Sequence, residues 1–356
     1  MRRSFFPMAI PTAPSPDGRP AAVVIQTSFL GDVVLSTPLI AALAERGPVD
    51  VVTTPAGAGL LAHHPAVRRI LPYDKRGADR GIRGLHRTAR TISDGTVSPP
   101  VVAYHAQGSL RSATLSFLAG IKARVGFSSS AGRRLYTRRV PYHAEWHHAE
   151  RLWSLAAAEG ERAGPLILRP RLYPGAEESA AVDALLAGTA AAARRFVALA
   201  PGSVWATKRW PHYPALAHAL ARDFALVVVG SAEDGPFADA IQAAVPDAVD
   251  ATGRLPLLAS AALIARAAAL VTNDSAPQHL ASAVGTPTVV IFGPTVPAFG
   301  FGPLSPVSFI AEHEQMPCRP CDKHGPATCP LGHWHCMTEL DPGVVASLAR
   351  RAAHPP

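Results

Sequence analysis

The chain runs Val271-Thr-Asn-Asp-Ser-Ala-Pro-Gln-His279, then Leu280-Ala-Ser-Ala-Val-Gly285, then Thr286-Pro-Thr-Val-Val-Ile-Phe-Gly-Pro-Thr295. This order predicts a strand, a polar turn, a short helix, a second strand and a glycine turn. Ser275 with Gln278 has the form of a capping box, and Pro277 suits the first helical turn. A helix that begins at the carboxyl end of a parallel strand presents free N–H groups and a positive dipole end. We therefore expect an anion site here, flanked by Asp274 and His279, for a diphosphate with a sugar on either side.

Length and composition are those of a two-domain globular protein. The chain has 356 residues, of which 48% are hydrophobic and 6% aromatic, enough to build a large core. It contains no run of 18 apolar residues, so no spanning helix is expected. Residues 1–20 contain five prolines and no signal-peptide cleavage site, and they predict a flexible tail of a cytoplasmic protein.

Positive charge is concentrated in one part of the chain. The net charge is +8, and residues 68–139 contain 15 Lys and Arg against three Asp and Glu. Such an excess favours an anionic partner, either a phosphorylated lipid or an anionic membrane surface, although a solvated basic face is the simpler alternative. No nucleic-acid-binding motif accompanies the charge, so nucleic acid is not expected.

Strand and helix patterns alternate in two series. The first begins at Ala21-Ala-Val-Val-Ile-Gln26, and the second begins at Phe196-Val-Ala-Leu-Ala200. The alternation predicts an α/β protein with two Rossmann-like domains, whose parallel sheets face each other across a central cleft. We place the first domain at 21–175, the second at 176–340 and a C-terminal helix or tail at 341–356. Neither G-x-G-x-x-G after a first strand nor a P-loop motif is present, which disfavours a nicotinamide oxidoreductase and excludes a P-loop enzyme.

Gly31-Asp32 follows the first strand, where a helix is predicted to begin. A carboxylate at this position facing a ligand can act as a general base toward a sugar hydroxyl. The alternative is that Asp32 only caps the helix.

Several polar side chains follow strands of the second series. Ser203 and Lys208 offer a hydroxyl and a cation that could neutralise a leaving diphosphate, unless this is only a basic surface loop. Glu233 could bind ribose hydroxyls, with helix capping as its alternative. Thr252 and Gly253 could line a base pocket with backbone groups.

Four cysteines lie late in the chain, at Cys318, Cys321, Cys329 and Cys336, with histidines between them. The spacing permits a structural zinc site, while reduced structural thiols or disulfides are the alternatives.

Together these motifs resemble glycosyltransferase family 9, the lipopolysaccharide heptosyltransferases, and most of all the heptosyltransferase II branch. The resemblance runs from Val23 to Val345. Four motifs carry it: Gly31-Asp32; Pro201-Gly-Ser203 with Lys208-Arg-Trp-Pro211; Asn273-Asp-Ser275 with His279 and Phe292-Gly-Pro-Thr295; and Cys318-x-Pro-Cys321 through Cys329 to His335-Cys-Met337. The chain departs from the family at Ala276, where glycine is usual.

The resemblance implies a GT-B fold and inverting, metal-independent heptose transfer from ADP-L-glycero-D-manno-heptose to the inner core of lipopolysaccharide, heptosyl-Kdo lipid A. It implies no cofactor, Asp32 as the base, and a first domain that binds the phosphorylated lipid acceptor. Peripheral contact with the anionic inner membrane is a hypothesis that rests on the basic excess of residues 68–139. The implied donor-binding residues are Ser203, Lys208, Glu233, Asp274, Ser275 and His279.

Two other functions stay open on the sequence. One is a family 9 enzyme that uses another nucleotide sugar or another glycan acceptor. The other is a non-catalytic protein that binds nucleotide sugars, which would tolerate Asp32→Asn with its function intact.

Overall fold

The computed structural model describes residues 19–94 and 99–354. Apart from Arg19 and Pro20, the predicted N-terminal tail lies outside the described residues. The chain divides into two compact units: the first extends to His143 and resumes over Ala149–Ala163, and the second comprises Ala144–His148 and the chain from Gly164 onward. The sequence pattern predicts the boundary between the two domains at 175/176.

The first unit contains a six-stranded sheet and helices on both of its faces. Its strands are β1 (Ala22–Gln26), β2 (Val49–Thr53), β3 (Arg69–Pro72), β4 (Val102–His105), β5 (Ala123–Phe127) and β6 (Arg138–Val140). Its helices are α1 (Leu30–Leu35), α2 (Thr37–Ala44), α3 (Pro55–Leu60), α4 (Gly81–Ser93), α5 (Leu110–Leu118) and α6 (His148–Ser154), whose first residue clusters with the second unit.

The strand order of this sheet is β3-β2-β1-β4-β5-β6, and every pair is parallel. This is the 3-2-1-4-5-6 order of a Rossmann fold. The five residues of β1 are all buried, as expected of a central strand that is covered by helices on both faces.

The second unit repeats the design. Its strands are β7 (Phe196–Ala200), β8 (Ala225–Val228), β9 (Val249–Asp250), β10 (Ala269–Asn273), β11 (Thr288–Phe292) and β12 (Ser308–Glu312). Its helices are α7 (Pro165–Leu168), α8 (Ala176–Leu186), α9 (Ala190–Ala193), α10 (Tyr213–Leu220), α11 (Gly235–Ala244), α12 (Leu257–Arg266), α13 (Ala276–Val284), α14 (His335–Thr338) and α15 (Pro342–Ala353).

The second sheet has the order β12-β11-β10-β7-β8-β9, again entirely parallel. Counted within the unit, this is the same 3-2-1-4-5-6 order, so the predicted α/β class with two parallel Rossmann-like sheets is confirmed. The C-terminal helix α15 contributes Val345, Ala346 and Ala349 to the core of this unit. Gly285 ends α13 at φ 80°, a left-handed conformation that glycine adopts without steric cost.

The structure shortens or divides some predicted helices. Apolar residues at 35, 39, 40 and 43 of the sequence predict a single helix from Val33 to Arg46, but α1 ends at Leu35 and α2 starts at Thr37. Pro38 has no N–H for the helical ladder. The hydroxyls of Ser36 and Thr37 instead donate to the carbonyl oxygens of Val33 and Val34, at 2.7 and 2.8 Å. No helix within the described ranges is long and apolar enough to cross a membrane.

Candidate functional site

The carboxyl ends of the strands in the second sheet carry all eight side chains and turns predicted to bind a donor. Ser203 and Lys208 follow β7, Glu233 follows β8, Thr252 and Gly253 follow β9, and Asp274, Ser275 and His279 follow β10. Because the strands are parallel and adjacent, their carboxyl ends meet at one edge, where ligands of such sheets bind.

Asp274 is the centre of a buried polar network at this edge. Its Oδ2 accepts hydrogen bonds from Lys208 Nζ at 2.6 Å and from Thr295 Oγ1 at 2.7 Å. Its Oδ1 accepts one from Gln278 Nε2 at 2.8 Å. Asp274 and Lys208 are each 8% exposed. A buried ion pair needs such additional hydrogen bonds to offset desolvation, so Asp274 fixes the positions of three neighbours.

Asn273, the last residue of β10, joins this network to the loop after β7. Its Nδ2 donates to the Pro201 carbonyl oxygen at 2.7 Å, and its Oδ1 accepts from the Trp210 N–H and the Tyr213 hydroxyl, each at 3.4 Å. The loop that carries Ser203 and Lys208 is therefore fastened at both ends by one buried amide. In the same loop, Arg209 Nε donates to the Ser203 carbonyl oxygen at 2.8 Å.

The start of α13 differs from the capping box that the sequence predicted. Ser275 is the N-cap residue, and Pro277 lies in the first turn, but the Ser275 side chain makes no capping hydrogen bond. The predicted capping box is wrong: Gln278 Nε2 donates to Asp274 Oδ1, and Gln278 Oε1 accepts no hydrogen bond from the N-cap backbone N–H. Within this first turn Pro277 has no N–H, and the Gln278 N–H donates to the Ser275 carbonyl oxygen at 3.2 Å. That leaves the backbone N–H groups of Ser275 and Ala276 as the donors that this helix start can offer to an anion.

Ala276, where the family usually has glycine, is the first residue of α13. A right-handed helical backbone does not require glycine. His279 lies one turn further along and is 5% exposed.

The turn after β8 separates the roles of its two acids. Asp234 Oδ2 accepts from the Ser231 N–H at 2.8 Å and from the Ser231 hydroxyl at 2.9 Å, which makes it the capping acid. Glu233 stays exposed, with a hydrogen bond from the Ser231 hydroxyl at 3.2 Å. A side chain at Gly202 would collide with the Asp234 carboxylate, so this turn and the loop after β7 approach closely.

Thr252 and Gly253 form a tight turn beside the same region. Asp250 Oδ1 accepts from the Thr252 N–H at 2.8 Å and from its hydroxyl at 2.7 Å. Gly253 has φ 66°, and its N–H donates to the Gly230 carbonyl oxygen at 3.0 Å. A Cβ at this position would lie 2.7 Å from that of Ala232, so the turn requires glycine for both its conformation and its close packing.

The segment that contains the cysteines contributes residues that the sequence analysis did not identify. Arg319 donates from Nε to the Gly293 carbonyl oxygen and from Nη2 to the Thr295 carbonyl oxygen at 3.0 Å, and it pairs with Glu312 at 2.6 Å. The Thr207 hydroxyl donates to the Pro326 carbonyl oxygen at 2.5 Å. The segment therefore supports the turn that carries Thr295 and the loop that carries Lys208.

The four cysteines are free thiols. Cys318 Sγ lies 3.9 Å from His333 Nε2. Burial, and then the neighbouring Cys321, raises the pKa of Cys336 to about 11. Within residues 19–94 and 99–354, no three or more His, Cys, Asp and Glu side chains form a set of metal ligands. The zinc arrangement that the cysteine spacing permits is thus not observed, and the segment is held by hydrogen bonds and packing.

In the first unit, Asp32 is the third residue of α1 and is partly exposed. Phe29 is the N-cap residue, so the alternative that Asp32 caps the helix is not what the structure has. The Ser28 hydroxyl lies 2.6 Å from Asp32 Oδ2 and also 2.6 Å from Gln26 Oε1. Ser28 therefore orients the carboxylate at the carboxyl end of β1.

Basic side chains surround the same edge of the first sheet. Lys75 Nζ donates to the Thr27 carbonyl oxygen at 2.6 Å, and Arg111 donates to the Tyr73 hydroxyl. Partial burial, and then the charges of Arg76 and Arg111, lower the pKa of Lys75. Clustered cations that disfavour one another's charge are stabilised by an anion bound among them.

Comparison with known proteins gives this geometry a family. The sequence profile described as glycosyltransferase family 9 (heptosyltransferase) matches residues 102–335. Lipooligosaccharide heptosyltransferase 2 of Haemophilus influenzae is 29% identical over 327 residues, 85% of this chain and 92% of that protein. Lipopolysaccharide heptosyltransferase 1 of Pseudomonas aeruginosa is 28% identical over 321 residues, 85% of this chain and 86% of that protein.

Among solved structures, that of Escherichia coli ADP-heptose lipopolysaccharide heptosyltransferase II superposes with a TM-score of 0.76 at 24% identity, covering 94% of this chain and 98% of that one. The two parallel Rossmann-like sheets and this match define a GT-B fold. The chain belongs to glycosyltransferase family 9, the heptosyltransferases.

Proposed function

We propose that this enzyme transfers heptose, with inversion, from ADP-L-glycero-D-manno-heptose to a phosphorylated inner-core acceptor of lipopolysaccharide, heptosyl-Kdo lipid A. The observation that carries the proposal is the buried Lys208–Asp274 pair beside the free N-terminus of α13. In a family 9 fold, this arrangement supplies a fixed cation and oriented N–H groups for a nucleotide diphosphate.

Lys208 and α13 have complementary roles toward the donor. An ammonium group has three N–H donors, and the hydrogen bond to Asp274 uses one of them. The other two serve the diphosphate oxygens, while Ser203 and Ser275 offer hydroxyls and His279 contacts the donor from α13. Asp274 acts as a positioning residue, because Lys208, Thr295 and Gln278 already occupy its carboxylate.

The nucleoside part of the donor is assigned to the turns after β8 and β9. Glu233 is exposed and not engaged in capping, so its carboxylate accepts the ribose hydroxyls. The backbone N–H groups of Thr252 and Gly253 are engaged by Asp250 and Gly230, so their carbonyl oxygens are the backbone groups assigned to the base. These groups suit adenine and do not reject another base, so a different nucleotide sugar is the main alternative donor.

Asp32 is the general base in this proposal. Its carboxylate accepts the proton of the acceptor hydroxyl as that oxygen attacks the anomeric carbon, and the bond from this carbon to the diphosphate breaks. The electron pair leaves with ADP, whose developing charge Lys208 and the helix start stabilise. We propose that these groups suffice without a metal ion.

The acceptor carries phosphate groups, which suits the basic edge of the first sheet around Lys75 and Arg111. Because a nucleotide sugar and a lipid acceptor meet at a membrane surface, we place the enzyme in the cytoplasm, in peripheral contact with the anionic inner membrane. The chain is almost equally identical in sequence to a heptosyltransferase 2 and to a heptosyltransferase 1, at 29% and 28%. The alternative acceptor is therefore another glycan of the lipopolysaccharide core.

The test is turnover of the full-length protein with ADP-heptose and heptosyl-Kdo lipid A, with and without a chelator, followed by ADP release. Equal release in both arms supports the metal-free proposal, and loss with the chelator contradicts it. Donor binding without release on any core acceptor would favour a non-catalytic binding protein. Absence of donor binding, with another nucleotide sugar bound in its place, would overturn the assignment of ADP-heptose.

A further inference from the structure

The solvent side of α4 is a row of basic side chains. Arg83, His86, Arg87 and Arg90 are exposed at successive turns, while Thr88, Ala89 and Ile92 of the same helix are buried in the first unit. With Arg69, Ile82, Thr91 and Asp94, the basic residues line a groove along the helix. The spacing i, i+3, i+4, i+7 places these cations on one face.

Part of this charge has no partner among the residues that the structure describes. Arg69 pairs with the buried Asp50 at 2.7 Å, and Arg87 pairs with Asp79 at 2.5 Å. Arg83 and Arg90 make no ion pair or side-chain hydrogen bond among the described residues. Asp94 is the one acid in the groove lining, so the groove keeps a net positive charge.

The neighbouring helix exposes apolar side chains beside this basic row. Helix α5 packs against α4, and successive right-handed crossovers in one direction put both helices on the same face of the sheet. Leu110 is 57% exposed, Phe117 53% and Leu118 37%, and Ile82 at the start of α4 is 75% exposed. Single exposed apolar residues are ordinary, but here four of them lie on two helices that pack together, and Ile82 lines the same groove as Arg83 and Arg90.

We propose that the solvent faces of α4 and α5 dock on an anionic phospholipid bilayer, with Arg83 and Arg90 at the headgroups and Ile82, Leu110 and Phe117 in the interface. The inference rests on the peripheral membrane contact of the proposed function and assigns it a surface. Basic and apolar side chains on one helical face are the pattern that an anionic membrane interface binds. A dissolved anion would use the arginines but not the apolar residues.

The test is co-sedimentation of the full-length protein with vesicles of phosphatidylethanolamine and phosphatidylglycerol, and with vesicles of phosphatidylcholine alone. We expect binding to the anionic vesicles that weakens with salt. Arg83→Glu with Arg90→Glu should lower the partition coefficient roughly tenfold or more. Ile82→Ser with Phe117→Ser should lower it at every salt concentration.

Matched controls alter the second unit by the same chemistry. Arg194→Glu with Arg222→Glu changes the net charge equally on exposed residues, and Leu166→Ser with Val344→Ser removes exposed apolar side chains. Both should bind vesicles as the wild type does, and circular dichroism should show all variants folded. Because sedimentation requires no turnover, the result is independent of donor and acceptor assignments.

Three results would overturn the docking surface. The first is wild-type vesicle binding by the Arg83/Arg90 variant. The second is equal loss in the Arg194/Arg222 control, which would indicate net charge alone. The third is an Arg83/Arg90 variant whose vesicle binding is unchanged but whose KM for a lipid-free phosphorylated acceptor is raised, which would make the groove an acceptor site.

Discussion

The two units share the 3-2-1-4-5-6 strand order but hold the acids at their strand ends in different ways. Asp274 in the second unit is 8% exposed and accepts hydrogen bonds from Lys208, Thr295 and Gln278. Asp32 in the first unit is partly exposed, and the Ser28 hydroxyl lies 2.6 Å from its Oδ2. A carboxylate that is buried and neutralised orders its neighbours, whereas a partly exposed one keeps access to a proton. The shared architecture therefore suits the two roles that we propose, positioning for Asp274 and proton transfer for Asp32.

Asp32→Asn should have the largest effect on turnover. Loss of a general base costs about 10²–10⁴ in rate, and we expect a fall of this size in kcat while the protein stays folded. The measurement is ADP release at saturating donor. Ser28→Ala is the milder companion, because it leaves the carboxylate but removes its orienting hydroxyl. A kcat for Asp32→Asn equal to that of the wild type would show that a residue other than Asp32 is the general base.

Asp274→Ala should have the largest effect on stability. Removal of one partner leaves Lys208 buried and unpaired, which costs about 3–5 kcal/mol of unfolding free energy. Chemical denaturation measures this loss. Asp183→Ala breaks the exposed pair with Arg266, at 2.5 Å, and is the control, with an expected cost below about 1 kcal/mol. Equal costs for the two variants would show that the Asp274 network is not structural.

Arg319→Gln should weaken the second unit less, by about 2 kcal/mol, the usual value for hydrogen bonds to a charged group. Since Arg319 holds the carbonyl oxygens of Gly293 and Thr295, we expect the KM for the donor to rise more than kcat falls. Steady-state kinetics separates the two parameters. Arg350→Gln, which breaks the exposed pair with Asp223, should leave both unchanged. A change confined to kcat would contradict the positioning role.

The first unit should be sensitive to acid. Burial, and then the charge of Arg124, lowers the pKa of His105 to about 3, and burial lowers the pKa of His64 to about 4, from 6.5. Between these values and 6.5 the unfolded chain binds protons that the folded chain does not, so stability falls as the pH falls through this window. His105 alone contributes about 1 kcal/mol per pH unit.

Urea unfolding at pH 6 and pH 5 measures this dependence. Replacement of His105 by Gln should lower the slope of the unfolding free energy against pH by the amount that corresponds to about one bound proton. An unchanged slope in His105→Gln would show that this histidine does not couple folding to pH.

The sequence predicts the central strands well because they are continuous apolar runs. The regions near β5, β6 and β12 gave no strand prediction. In β6 the sequence is Arg138-Arg-Val140 at an exposed edge of the sheet, and β12 is exposed at alternate positions. Such strands are fixed by pairing with a neighbour, a long-range effect that local patterns do not contain.

The site was predicted residue by residue but not as a network. Lys208 and Asp274 are 66 residues apart, so their pairing follows from the sheet order and not from spacing. The expected capping box failed for a local reason, since Gln278 Nε2 donates to the carboxylate of Asp274, four residues earlier. Arg319 lies among the cysteines, and its hydrogen bonds reach carbonyl oxygens at Gly293 and Thr295. These contacts over more than 20 residues are not visible in the spacing of the motif.

Calorimetric titration of ADP-heptose into Asp32→Asn, Lys208→Gln and the wild type tests whether Lys208 binds the donor while Asp32 serves only catalysis. For Asp32→Asn we expect the dissociation constant of the wild type. For Lys208→Gln we expect a dissociation constant raised by roughly 10- to 100-fold, which corresponds to the loss of a charge-assisted hydrogen bond. An equal loss of donor affinity in Asp32→Asn and Lys208→Gln would contradict the assignment of separate roles to the two residues.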